Sequence, residues 1–182
     1  MIILEALFFI LPTYASNSLS VVSMVIPVLK NFSTPIDFGK SYKGKRILGD
    51  GKTFRGFIFG TFCGCLVAVL QYFIAKNVEF KYLTEYNDAS FSFFMTTGFL
   101  LSFGSVLGDS VKSLIKRRIG IKRGRPWIPF DQLDFITMGI LLSSIVYLPG
   151  WKIVLILFII TPAAHFLSNV TAYLLKIKDV WW

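Results

Sequence analysis

The sequence predicts an all-α integral membrane protein: five transmembrane helices joined by two basic cytoplasmic loops, at about 30–55 and 111–131, in a single membrane domain over residues 1–182. Three observations predict it. Hydrophobic residues make up 54% of the chain and mean hydropathy is +0.66, beyond a soluble domain of this length. Apolar runs of about 20 residues recur, each long enough to cross a bilayer. The nineteen Lys and Arg residues gather between those runs, as they do in the cytoplasmic loops of membrane proteins.

The first apolar stretch is Ile2 to Leu29. Pro12 and the polar run Ser16, Asn17, Ser18, Ser20 interrupt it. Hydrocarbon offers those side chains no partner, so they should face the bundle. They pack against neighbouring helices, or Asn17 lines a cavity. The first basic loop follows, with Lys30, Lys40, Lys43, Lys45, Arg46, Lys52 and Arg55 against Asp37 and Asp50. Its glycines at 39, 44, 49, 51 and 56 make it a flexible loop whose backbone amides can approach an anion. The segment Gly49–Gly56, GDGKTFRG, is not a P-loop, since Arg46 stands where the first glycine belongs and no strand precedes it. Nor does it open a CDP-alcohol phosphotransferase signature, because residues 65–75 contain no acid.

Phe57 to Ala75 is the second span and Phe91 to Leu107 the third, with Thr96, Thr97, Gly98, Ser102 and Ser105 as small packing residues. A polar island runs from Gly108 to Phe135. The fourth span begins near Asp131, its apolar part Ile136 to Leu148. Pro149-Gly150 makes a turn, and Trp151 to Tyr173 is the fifth span, with His165 and Asn169 on one helix face. Trp181 and Trp182 suit the membrane interface. Five spans place the two basic loops and Lys176 and Lys178 on the cytoplasmic side, with the N-terminus outside. That topogenic role accounts for the net charge of +9, so no nucleic-acid partner is expected. Cys63 and Cys65, two apart in an apolar run, point in different directions and form no disulfide. The N-terminus lacks the marks of a removable signal peptide.

The polar island carries the chemistry. Asp109, Lys112 and Lys116 share one helical stripe, and Asp131 and Asp134 share another at the start of the fourth span. If the third and fourth spans are neighbours, three carboxylates converge amid Lys112, Lys116, Arg117, Arg118, Lys122, Arg123 and Arg125. Oxygen-only ligands suit Mg²⁺, or Mn²⁺, rather than zinc, and the cations would clamp phosphate. The competing reading is salt bridges: Asp109 with Lys112, and Asp131 and Asp134 with the arginines. Lys43, Lys45, Arg46, Lys52, Thr53 and Arg55 are read as holding nucleotide phosphates, with Asn17 on the cavity floor.

Ser113-Leu-Ile-Lys116-Arg117, then Lys122, then Asp131-Gln-Leu-Asp134 resembles the signature of the membrane CTP-dependent cytidylyltransferases that make CDP-lipids. Three departures stand out: Arg123 replaces an aspartate, Pro126-Trp-Ile-Pro-Phe130 replaces His-Gly-Gly, and Gln132 replaces an arginine. Those departures, the short chain and GDGKTFRG resemble the archaeal branch, the CDP-archaeol synthases. The resemblance implies a reaction in which CTP and unsaturated archaetidic acid, an isoprenoid ether-lipid phosphate, give CDP-archaeol and pyrophosphate with Mg²⁺. It puts Asp131 and Asp134 on metal-binding carboxylates. It puts Lys116, Arg117 and Lys122 on basic positions assigned to phosphates. Asp109 as a further metal ligand is an inference from spacing alone. A CDP-diacylglycerol synthase acting on ester lipids, and a non-enzymatic membrane carrier, are the alternatives. No oligomeric state is assigned.

Overall fold

The computed structural model describes residues 1–122 and 124–174, apart from the side chains of Ser168, Asn169 and Ala172. The sequence readings at Arg123, Asn169, Lys176, Lys178, Trp181 and Trp182 therefore lie outside the described residues. Among the described residues six α-helices run in chain order: α1 (Ile2–Val22), α2 (Pro27–Lys30), α3 (Phe54–Ala75), α4 (Phe91–Arg118), α5 (Phe130–Ser143) and α6 (Trp151–Leu174). Of these, α1, α3 and α4 are long and apolar enough to cross a membrane. Helix α5 has 14 residues, and the apolar part of α6 covers Trp151–Leu167.

Lipid exposure is written on α3. Ile58, Phe62, Leu66, Leu70 and Phe73 form an exposed apolar stripe that water would not tolerate and hydrocarbon would. The opposite face packs through small groups. A Cβ on Gly60 would come 2.7 Å from the Ser16 carbonyl of α1. Ser16 Oγ donates to the Ser102 carbonyl at 2.9 Å and Ser105 Oγ to the Thr13 carbonyl at 3.1 Å. Of the polar run of α1, Ser16 thus packs against α4, and Gly98, Ser102 and Ser105 of α4 are packing residues too, whereas Ser18 is exposed, against the expectation that the whole run faces the bundle. Thr96 instead lies exposed and donates to its own helix.

Pro12 cannot donate to the carbonyl of Phe8, one turn back. The Gln71 side chain of α3 supplies that donor, satisfying a backbone acceptor where bulk water is excluded. At the same end of the bundle Glu5, 4% exposed, accepts backbone N–H groups of Lys81, Tyr82 and Leu83 at 3.3, 2.7 and 3.0 Å. Phe8, Phe9, Phe80, Tyr86, Phe93, Phe94 and Tyr147 pack against one another, edge to face or tilted, in the same region.

Helices α4 and α5 approach closely because glycine leaves room. A Cβ on Gly104 would sit 2.7 Å from the Met138 carbonyl, and one on Gly108 2.8 Å from Met138 Cβ. The third and fourth predicted spans are therefore neighbours. Helix α4 also continues past its apolar part to Arg118, three cations in its last turn offsetting the negative end of its dipole. That extension carries Asp109, Lys112 and Lys116 up beside the start of α5.

The first basic loop departs from the flexible coil expected. Residues Ser41–Tyr42 (β1) and Lys45–Arg46 (β2) pair antiparallel, Ser41 opposite Arg46. Gly44, at φ +73°, closes the turn in a left-handed conformation that glycine adopts freely. Thr53 ends the loop as the N-cap of α3, its hydroxyl accepting from Gly56 N at 3.2 Å.

Candidate active site

One carboxylate organises the loop. Asp37, its side chain 1% exposed, accepts from the backbone N–H of Gly39, Leu48 and Gly49 at 3.1, 2.9 and 3.0 Å, and from Arg46 at 3.0 Å. Burial pushes its pKa up, but the amide and guanidinium donors outweigh burial and hold it down at about 2. The hairpin then docks on α4 through Arg118, which donates to the carbonyls of Tyr42 at 2.9 Å and Arg46 at 3.0 Å and lies 5.5 Å from the Tyr42 ring centre. Lys45 returns a bond to the Arg118 carbonyl at 3.1 Å.

That docking closes a charged cavity of about 200 Å³. Leu48, Gly49, Gly51 and Lys52 wall it from the loop, Asp109, Lys112, Ser113, Lys116 and Arg117 from α4, and Gly124 and Asp131 from beyond. Inside, acids and lysines alternate. Asp109 pairs with Lys52 and, at 2.9 Å, with Lys112. Lys112 also stands 3.4 Å from Asp131 and 2.9 Å from Asp134. Lys116, buried, reaches both oxygens of Asp131 at 2.9 and 2.8 Å and the Arg125 carbonyl at 2.7 Å. The Asp131 carboxylate also accepts the Trp127 N–H, tying the segment before α5 to the site.

A second, smaller cavity of about 60 Å³ adjoins the first. Gly51, Lys52 and Asp109 line both. Its other walls are Ser20 and Val21 of α1, Met24 just beyond that helix, Ile36, Thr53, Gly56 and Phe57 at the start of α3, and Val106 and Ser110 of α4, apolar apart from the hydroxyls of Ser20, Thr53 and Ser110. A charged chamber therefore meets an apolar-lipped one at Lys52 and Asp109.

A family model for CarS-like CDP-archaeol synthases matches residues 1–182. The chain belongs to the CDP-archaeol synthase family. The CDP-archaeol synthase of Archaeoglobus fulgidus is 43% identical over 187 residues, covering 100% of this chain and 98% of the relative. That of Methanocaldococcus jannaschii is 36% identical, with 100% and 98% covered. A solved structure of an intramembrane enzyme for archaeal membrane lipid biosynthesis superposes with TM-score 0.70 and 28% identity over 94% of each chain.

Within this CDP-archaeol synthase family member, the fold brings together Lys52, Asp109, Lys112, Lys116, Arg117, Asp131 and Asp134. Other expected phosphate ligands are engaged elsewhere. Arg46 pairs with Asp37 and Asp50. The guanidinium of Arg55 donates to the Leu29 and Lys30 carbonyls at 3.3 and 3.0 Å, capping α2, beside an apolar groove lined by Phe32, Phe38 and Phe62. Thr53 caps α3. Lys43 sits exposed at the hairpin turn over Tyr42, and Lys122 is exposed outside the lining of the cavity. Ser20, not Asn17, reaches the smaller cavity from α1. The ion-pair reading of the acids holds in part. Asp109 does meet Lys112, but Asp131 and Asp134 meet lysines where arginines were expected.

Sequence reasoning missed Asp37 and Arg118. Asp37 carried a faint signal as one of two acids in a seven-cation loop. Arg118 carried none, because its partners are backbone carbonyls more than seventy residues away.

As the side chains stand, no three acid, imidazole or thiol groups among the described residues are close enough to hold one metal ion. The donor set nevertheless fits a hard divalent cation. Three carboxylates face one cation position, now held by an ammonium. Both oxygens of Asp134 are buried without a hydrogen bond among the described residues, the kind of group a metal satisfies.

Proposed function

We propose that this protein is a CTP-dependent cytidylyltransferase that converts a digeranylgeranylglyceryl phosphate, unsaturated archaetidic acid, and CTP to CDP-archaeol and pyrophosphate. The observation that carries the reading is the junction of a charged chamber with an apolar-lipped one at Lys52 and Asp109. The nucleotide's phosphates suit the first and the lipid's phosphate the second. A lipid phosphate oxygen attacks the α-phosphorus of CTP, the bond from that phosphorus to the β-bridging oxygen breaks, and pyrophosphate leaves. The attacking oxygen is already anionic at neutral pH, so no protein base is needed.

Lys52, which lines both cavities, would stand between the two substrates and counter the repulsion of two phosphate anions. Lys116 and Arg117 face the β- and γ-phosphates, where their charge supports the departing pyrophosphate. The Gly49 and Gly51 backbone allows close approach of the nucleotide. Asp109, Asp131 and Asp134 would hold Mg²⁺, or Mn²⁺, which when bound neutralises the developing phosphate charge. The two basic loops lie at one end of the bundle, supporting five crossings with the N-terminus outside and the C-terminus cytoplasmic.

The test is pyrophosphate release by detergent-solubilised protein given CTP, Mg²⁺ and either a diether or a diacyl glycerol phosphate, with and without EDTA. Metal-dependent release with the diether lipid alone is expected. Release with both lipids would keep the chemistry and remove the lipid assignment. No release from folded protein would overturn the reading.

A further inference from the structure

Lys112 stands at the centre of the acidic cluster, its Nζ 2.9, 3.4 and 2.9 Å from oxygens of Asp109, Asp131 and Asp134. Lys52 takes the other oxygen of Asp109, and Lys116 both oxygens of Asp131. Three carboxylates and three ammoniums form a closed set whose formal charges cancel. Such a set leaves no ammonium free for phosphate and no carboxylate free for a metal ion.

Its weak point is Asp134. That side chain is 7% exposed, and neither oxygen has a hydrogen bond among the described residues. The Lys112 ammonium neutralises Asp134 without an aligned bond to it. Mg²⁺ draws carboxylates to about 2.0–2.1 Å, tighter than any spacing the ammonium sets. It cannot do so while the ammonium stays. Stranding a displaced, half-buried ammonium is costly, and so is stranding the carboxylates when a polyphosphate draws the lysines away. Both costs vanish when metal and polyphosphate arrive together, since each takes the partners the other releases. The flexible four-carbon stem of lysine permits the exchange.

We infer that Lys112 holds the cation position among Asp109, Asp131 and Asp134 in the resting protein and yields it to the divalent ion, turning its ammonium to a nucleotide phosphate, so that metal and nucleotide bind as a coupled pair. The inference rests on the metal-dependent reading proposed above and adds to it a reason why neither component binds well alone.

The test is Mn²⁺ binding to the full chain in detergent, without nucleotide or lipid, read by electron paramagnetic resonance. Lys112→Met removes the competing ammonium and keeps the stem. It should bind Mn²⁺ about tenfold tighter than the wild type, the scale of a typical coupling between sites. Its metal-free thermal midpoint should fall below that of the wild type, and Mn²⁺ should close the gap. If Lys112→Met does not fold, Lys112→Gln keeps a donor toward the carboxylates and carries the same expectation. Equal Mn²⁺ affinity in wild type and variant overturns the inference and leaves metal dependence standing. No Mn²⁺ binding by either protein, with pyrophosphate release persisting in EDTA, overturns the metal reading and the inference together.

Discussion

Both ends of the bundle bury carboxylates, and they satisfy them by opposite means. At one end Glu5, 4% exposed, is held by three backbone N–H groups. At the other, Asp109, Asp131 and Asp134 are held mainly by the side chains of Lys52, Lys112 and Lys116. Backbone donors are fixed by the chain path and cannot leave without unfolding it. Ammonium groups on flexible stems can trade a carboxylate for a phosphate. The first arrangement locks helix α1 to the loop before α4. The second is stable yet exchangeable, which a site for transient anions and cations requires.

The largest effect that would sharpen this contrast is at Asp134. Asp134→Asn should lower turnover by on the order of 10²–10³-fold, the scale of a lost charge-stabilising group at a reacting centre. The thermal midpoint should fall modestly, because Lys112 loses one counter-charge but keeps Asp109 and Asp131. Near-normal turnover at saturating Mg²⁺ would take Asp134 out of the chemistry. Glu5→Ala should do the reverse. It strands buried backbone donors and should cost about 2 kcal/mol or more of stability, measured by thermal unfolding in detergent. Turnover per folded molecule should stay within about twofold. A selective loss of turnover at Glu5 would break the division of labour between the ends.

An intermediate effect belongs to Asp37. Its pKa is lowered on folding from 3.8 to about 2. The stability it lends is therefore fully present above the unfolded value and is lost as pH falls through about 2. Asp37→Asn removes the charge at neutral pH and should loosen the hairpin. Trypsin should then cut faster at Lys40, Lys43 and Lys45. The KM for CTP should rise about three- to tenfold, the scale of a charged hydrogen bond, with kcat little changed. An equal fall in kcat would instead place Asp37 in the transition state.

How far the sequence could be read follows from where partners lie. The helices were legible because apolar run length is local information. The convergence of Asp109 with Asp131 and Asp134 was legible in outline from helical spacing. What brings the two helices that close is Gly104 and Gly108 against Met138, and the chain does not announce which glycine faces which helix. The loop was read least well because every cation was counted as free. Arg46 and Arg55 are each consumed by partners in the fold. The glycines at 39, 44 and 49 serve turns with positive φ, so phosphate approach is not their first task. The family resemblance marks Lys116 and passes over Lys112, whereas the structure gives Lys112 contact with three acids against one.

The smallest expected effects test that last lesson. Lys43 is a phosphate ligand on the reading of the basic loop and Lys122 on the family resemblance, yet both lie exposed outside the charged cavity. Substituting either by alanine should change the KM for CTP and the thermal midpoint little, within the roughly 0.5 kcal/mol typical of surface positions, or about twofold in KM. Lys52→Ala, by contrast, removes the cation that both cavities share and should raise the KM for both substrates. If Lys122→Ala matched Lys52→Ala, the segment after α4 would have to fold over the nucleotide once bound. The exchangeable end of the bundle would then include a moving loop as well as moving side chains. If Lys43→Ala alone did so, the hairpin would be the part that moves, and Arg118, which pins it to α4, would be the residue to substitute next.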